Sequence, residues 1–103
     1  MTCSLTKVVF CVEYFYAKAG YREQLIESLL KLVEPTRSEP GCLQYDLIQD
    51  NKDPNLIILL VKFTDKNTMA KHESQDFIKQ FAENEMKHYC EKLIWNAGRG
   101  IEE

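Results

Sequence analysis

Ten residues near the start of the chain, Lys7 to Tyr16, alternate in such a way that neither set is polar. Read as a strand, they send Val8, Phe10, Val12 and Tyr14 one way and Val9, Cys11, Glu13 and Phe15 the other. Val, Phe and Tyr suit a pleated, partly buried surface. A strand that is apolar on both sides needs something apolar against each face of its sheet. The chain has 103 residues, one domain's worth, since domains usually run to ~100–200 residues. A chain of that size buries one core, so the second face of the sheet becomes the problem that the rest of the sequence must answer.

Composition removes several answers. The formal charge is 13 − 16 = −3 with no basic cluster, which argues against nucleic acid or an anionic membrane as partner. The longest uncharged stretch, Pro54 to Val61, is far short of the ~20 apolar residues of a membrane helix. The segment Met1 to Lys7 lacks the basic region, apolar stretch and cleavage site of a secretory signal. Cys3, Cys11, Cys42 and Cys90 show no C-x-x-C spacing, and there are only two histidines. A zinc site is unsupported by such spacing. The cysteines read as reduced thiols of a cytoplasmic protein.

Beyond the first strand, Ala17-Lys18-Ala19-Gly20 reads as a turn. The period then becomes helical, with Tyr21, Leu25, Ile26, Leu29, Leu30 and Val33 in one stripe. Pro35 disfavours helix at Glu34 and predicts a kink or an end there. Ser38-Glu39-Pro40-Gly41 is a second turn. Cys42 to Gln49 alternates, with Leu43, Tyr45 and Leu47 on the drier side. Asp50 to Asn55 is a strong turn signal, and Leu56 to Phe63 a near-continuous apolar run, so the two strands predict a hairpin. Thr64-Asp65 offers an N-cap. Met69, His72, Phe77, Phe81 and Met86 follow as inward positions of helical structure broken near Ser74. Tyr89 to Trp95 reads as a last strand, and Asn96 to Glu103 as a polar tail.

The order is β-α-β-β-α-β in a single domain, 1–103, with its core over 7–95. It predicts an α+β, ferredoxin-like fold with both helical regions on one face of an antiparallel sheet. The uncovered face predicts a homodimer joined sheet to sheet, a dimeric α+β barrel. The rival is a monomer whose own tail patches that face.

The run Thr36-Arg37-Ser38-Glu39-Pro40-Gly41-Cys42-Leu43-Gln44-Tyr45-Asp46 resembles the helix-to-strand signature of the antibiotic biosynthesis monooxygenase superfamily. Ala17-Lys18-Ala19-Gly20 resembles that family's turn after the first strand. Asp65, Met69-Ala70-Lys71-His72, Phe77 and Phe81 are similar to its second-helix pattern. The likeness spans roughly residues 7 to 95. It implies a small dimeric α+β barrel, in many members a monooxygenase without flavin, haem or metal. Other members isomerise or break down small phosphorylated sugars, degrade haem, or have no known activity. The haem-degrading branch uses an Asn, a Trp and a His at positions resembling Glu13, Phe63 and Phe81, so haem degradation is not expected here.

His72, set in a helical apolar pattern, is the candidate proton shuttle; otherwise it is a core histidine bonded to backbone. His88, near a helix end, reads as structural. The family commonly carries a Glu two residues before a Trp on its third strand, and those positions resemble Val61 and Phe63. A carboxylate for the histidine is thus missing from its usual place, and Glu13 is the candidate replacement. Tyr45 matches the signature tyrosine and would bind a substrate oxygen or fill the core. Phe63, Phe77 and Phe81, with Val61, are candidate cavity walls or ordinary core. Arg37 and Glu39 read as a structural ion pair or cap. The resemblance implies a cofactor-independent monooxygenase acting on a small aromatic polyphenol or quinol. The alternatives are an isomerase or lyase of a small carbonyl or phosphorylated sugar compound, and a non-catalytic small-ligand-binding dimer.

Overall fold

The computed structural model describes residues 3–102; Met1, Thr2 and Glu103, which belong to the first segment and the expected tail, lie outside them. Strand β1 (Ser4–Ala17) is followed by α1 (Arg22–Arg37), β2 (Cys42–Gln49) and β3 (Leu56–Phe63). Then come α2 (Lys66–Glu73), α3 (Asp76–Gln80), a π-helical turn (Phe81–Glu85), α4 (Met86–Tyr89) and β4 (Cys90–Glu102). The sheet order is β2-β3-β1-β4 with every neighbouring pair antiparallel. This is the ferredoxin-like α+β arrangement expected from the element order.

One face of the sheet carries Cys11 and Phe15 of β1, Tyr45 of β2, and Ile57, Leu59, Val61 and Phe63 of β3, all buried beneath the helices. The covering stripe of α1 is Leu25, Ser28, Leu29, Leu32 and Thr36, a helical repeat of three and four residues. Leu30 and Tyr21, expected inward, are exposed instead. The helix also runs through Pro35 to Arg37. A proline in the last turn forfeits only one backbone bond. That turn is held from outside: the Ser38 amide and hydroxyl both donate to the Glu34 carbonyl, and Arg37 donates to the Tyr45 carbonyl and to Asp46.

Two further differences come from strand pairing. A register shift between Cys42 and Gln44 makes Leu43 the extra residue of a bulge, so Leu43 is exposed while Tyr45 and Leu47 keep the inner face. The expected polar tail is strand: β4 continues to Glu102 because Asn96 to Arg99 pair with Val9 to Val12, and Ile101 and Glu102 with Leu5 and Ser4. Backbone pairing with β1 overrides the weak strand propensity of its glycines and polar residues. This ribbon lengthens the molecule to 49 × 31 × 18 Å. The tail therefore extends the sheet edge and does not fold across the open face. That face presents Phe10, Ile48 and Ile94 to solvent.

Among the described residues, no helix is long and apolar enough to cross a membrane. Cys3, Cys11, Cys42 and Cys90 are all free thiols.

Candidate active site

The turn between α1 and β2 does more than reverse the chain. Gly41 has φ +90°, and a Cβ there would stand 2.7 Å from the Thr68 methyl and 2.8 Å from the Thr64 hydroxyl. Only glycine allows that turn to press against the start of α2. The Gly41 carbonyl accepts from the Thr64 amide at 2.9 Å. Asp65 then caps α2 in a reciprocal capping box with Thr68, which fixes the phase of the helix. One consequence is that His72, near its C-terminus, faces inward and is only 7% exposed.

The imidazole meets the turn again. His72 Nδ1 lies 2.8 Å from Glu39 Oε2, with both side chains nearly buried. A carboxylate can only accept, so Nδ1 donates in this contact, and Nε2 is the ring nitrogen left without a hydrogen bond among the described residues. Three rings hold the imidazole: Phe63 at 5.2 Å between centroids, Tyr45 at 5.6 Å and Phe77 at 6.5 Å. The second Glu39 oxygen, Oε1, is buried with no protein partner among the described residues.

The expected pairing of Arg37 with Glu39 is therefore corrected. Arg37 reaches outward to Asp46 at 2.8 Å, an exposed pair, while Glu39 turns inward to the histidine. The carboxylate missing at Val61 is supplied by this turn. Glu13 makes no hydrogen bond to the imidazole, whose carboxylate partner is Glu39; it stands elsewhere on the wall of the same hollow.

That hollow lies between the sheet and the helical segment after β3, with a volume of about 330 Å³. Small-molecule pockets span roughly 300–1,000 Å³. Leu59, Val61, Met69, Ile78 and Phe81 make much of the wall, and His72, Tyr45 and Glu13 all face it. Phe63 and Phe77 do not reach the hollow and instead pack on the imidazole. Phe81 and Ala82 enter the wall from the π-helical turn, an irregularity often found at functional sites. Sequence reasoning missed Cys11, Glu73, Lys79 and Trp95 as lining residues. Glu73 had a legible signal in its position beside His72, and Trp95 one in its strand alternation.

Burial governs the titrating groups. Desolvation, reinforced by Glu73, pushes the Glu13 carboxyl up to about 7. The Cys11 thiol is pushed up to about 12 by burial, then by Glu13 and Glu73, so it stays a protonated, unreactive thiol at neutral pH. Burial also raises the Tyr45 phenol above its ordinary value, keeping it a neutral hydroxyl. The hollow thus combines a carboxylate-oriented imidazole, a neutral phenol and a carboxyl able to gain or lose a proton near neutrality. Among the described residues, no group of three or more His, Cys, Asp or Glu side chains is arranged to hold a metal ion.

Known proteins resemble this chain in both sequence and fold. Residues 8–84 match the family model described as antibiotic biosynthesis monooxygenase. The solved structure of SO0527 from Shewanella oneidensis superposes with a TM-score of 0.93 at 26% identity, covering 97% of this chain and 98% of that one. A Bacillus subtilis protein, YcnE, named as a candidate monooxygenase, is 32% identical over 59 residues, which cover 57% of this chain and 62% of that protein. A Synechocystis protein is 26% identical over 66 residues, covering 64% of this chain and 45% of its own length. The chain thus matches less than two thirds of the length of these two curated relatives.

Proposed function

Since the chain belongs to the antibiotic biosynthesis monooxygenase family, we propose that it is a monooxygenase that oxidises a small aromatic polyphenol or quinol with dioxygen and without a cofactor. The observation that carries this reading is the buried His72–Glu39 pair at the wall of a largely apolar hollow. Dioxygen is a triplet and reacts slowly with closed-shell molecules, but an electron-rich phenolate can hand it one electron. The protein then has to remove the phenolic proton, hold the ring and exclude water.

His72 Nε2 is the base. Glu39 keeps the imidazole in the required tautomer and stabilises the imidazolium that forms, a geometry in which a base typically contributes ~10²–10⁴-fold. Electron transfer from phenolate to dioxygen and recombination give a ring peroxide. The imidazolium returns a proton as the O–O bond breaks. A ring C–H becomes a ring carbonyl, the other oxygen atom leaves as water, and the substrate supplies all the electrons. Tyr45, kept neutral by burial, donates a hydrogen bond to the ring oxygen. Val61 and Phe81 keep the chamber dry, while Phe63 and Phe77 fix the plane of the imidazole. Two copies joined through the open sheet faces would complete the barrel and leave one chamber in each half.

The test is oxygen uptake on a panel of mono- and bicyclic quinols. His72→Asn is the informative variant: its amide can still donate to Glu39, but nothing remains to titrate. Turnover should fall ~10²–10⁴-fold with the fold intact. Unchanged turnover in this variant removes His72 as base. Turnover that survives without oxygen removes the monooxygenase reading in favour of an isomerase or lyase using the same proton transfer.

A further inference from the structure

The hollow has two unlike ends. At its closed end stand His72 and Tyr45, both buried; Glu73, Lys79 and Trp95 line it as well, but they are exposed. Trp95 is 59% exposed, an unusual position for the only tryptophan of the chain. It sits on β4 directly opposite Glu13 of β1, on the same face of the sheet, so the two side chains are cross-strand neighbours ~4.5–5.5 Å apart at Cβ. The helices leave Trp95 open, although Phe15, Cys11 and Leu59 on the same inner face are all buried. An indole beside a carboxyl, at the mouth of an apolar hollow, is a flat stacking surface next to a hydrogen-bonding group.

The charges at this mouth are unbalanced. Glu73 of α2 lies close enough to raise both Glu13 and Cys11. The groups facing Glu13 are Cys11 of β1, Tyr45 of β2, His72 and Glu73 of α2, and Lys79 of α3. Lys79 is the one fixed cation among these described residues, and the His72 ring is already matched by Glu39. A carboxylate or phosphate entering here would meet ionised Glu13 on the desolvated wall, where repulsion is poorly screened, and Glu73 at the exposed rim.

We infer that Trp95, Glu13 and Glu73 form the selectivity element of the site: Trp95 stacks on a planar ring, the acid form of Glu13 donates to an uncharged oxygen on that ring, and the Glu13–Glu73 pair turns anionic ligands away. This rests on the hollow being the ligand site of the proposed activity, and it sets the class of ligand by charge. Phosphorylated and carboxylated compounds are the excluded class. Because Glu13 titrates near neutrality, recognition of an acceptor oxygen weakens as pH rises past 7, when the donor becomes a carboxylate.

The experiment is a binding measurement that involves no oxygen chemistry. Chromone is neutral, planar and accepts hydrogen bonds without donating any; chromone-2-carboxylate is the same ring system bearing a charge. Calorimetry gives the affinities, and the single indole N–H resonance of isotope-labelled protein reports contact at Trp95. Chromone should bind and shift that resonance. Trp95→Ala should weaken binding roughly five- to tenfold, with Trp95→Phe recovering much of the loss. Affinity for chromone should decline between pH 6 and 8 in the native chain and stay flat in Glu13→Gln. In Glu73→Gln the decline should begin at lower pH, because the neighbour that raises Glu13 is gone. Chromone-2-carboxylate should bind at least roughly tenfold more weakly than chromone at pH 8, with the gap narrowing in Glu73→Gln.

Equal affinity for the two ligands, an unmoved indole resonance, or no binding of chromone at all overturns the inference. Normal chromone selectivity without quinol oxidation would sink the oxygenase reading and leave this one standing. Quinol oxidation that is indifferent to Trp95→Ala would do the reverse.

Discussion

Both faces of the sheet are rich in apolar side chains, and only one is covered. On the inner face, Phe63, Leu25 and Leu29 are essentially fully buried, and even the polar groups there are organised: His72 is bonded to Glu39 and ringed by three aromatics. On the outer face, Phe10, Ile48 and Ile94 are exposed, and two cations lie over rings, Lys62 on Phe10 and Lys92 on Tyr16. The inner face is solved within the chain by helices. On the outer face, among the described residues, Lys62 and Lys92 place their ammonium groups over Phe10 and Tyr16. A single-layer helical cover thus encloses a hollow on one side and leaves apolar side chains open on the other.

The contrast between the faces is broken most severely at Phe63. Its side chain is 0% exposed and backs the imidazole. Phe63→Ala should cost ~3–5 kcal/mol in denaturant unfolding, transfer and cavity terms together. A loss below ~1 kcal/mol would mean that the inner face is loosely packed and that the two faces differ less than their exposure implies. The same variant should lower turnover beyond its effect on stability, because the imidazole loses one of its supporting planes.

Glu13 sharpens the contrast at the one place where the inner face is not settled. Its carboxyl sits at about 7 in the folded chain against an ordinary 4.5. Below the ordinary value both folded and unfolded chains hold the proton, and this group is neutral in its effect on folding. As pH rises from there, the unfolded chain releases the proton first. Stability therefore falls through pH 7 and levels off above it, by about 3 kcal/mol in all. Glu13→Gln should remove that fall, so the variant is matched to the native chain near pH 4 and more stable near pH 8. A stability difference that does not vary with pH would show that burial does not act on this carboxyl.

The inner face was the more legible of the two in the sequence. Apolar patterning in Lys7 to Tyr16 and Leu56 to Phe63 set the strands, and Tyr45 and His72 fell inward as their spacing required. The helical structure after β3 is broken at Ser74, where a break was expected. Other features depended on partners far along the chain. Leu43 leaves the dry side because a bulge adds one residue, and no local pattern encodes that. The strand nature of Asn96 to Glu102 is set by pairing with β1, against its own composition. Glu39 was visible within a recognised turn, but its partner was not. Whether it faced Arg37 or His72 depended on how Gly41 and the cap at Asp65 set α2 against the turn.

Phe10 offers the gentlest perturbation of the protomer and the most direct probe of the outer face. It pairs with Lys62 across β1 and β3, and the Lys62 ammonium lies 5.1 Å above its ring. Phe10→Glu exchanges that cation–π contact for an exposed ion pair. Each is worth up to ~1 kcal/mol, so protomer stability should change by less than ~1 kcal/mol. The proposed sheet-to-sheet dimer could not absorb the same change, because a carboxylate set into an apolar interface must be dehydrated. In sedimentation at micromolar concentration the native chain should run at twice 12.1 kDa and the variant at the protomer mass. If the variant remains a dimer, the second copy sits elsewhere, and the apolar outer face needs another explanation. If the native chain is itself a monomer, its outer face stays open with Lys62 and Lys92 over Phe10 and Tyr16, and the chamber is complete without a partner.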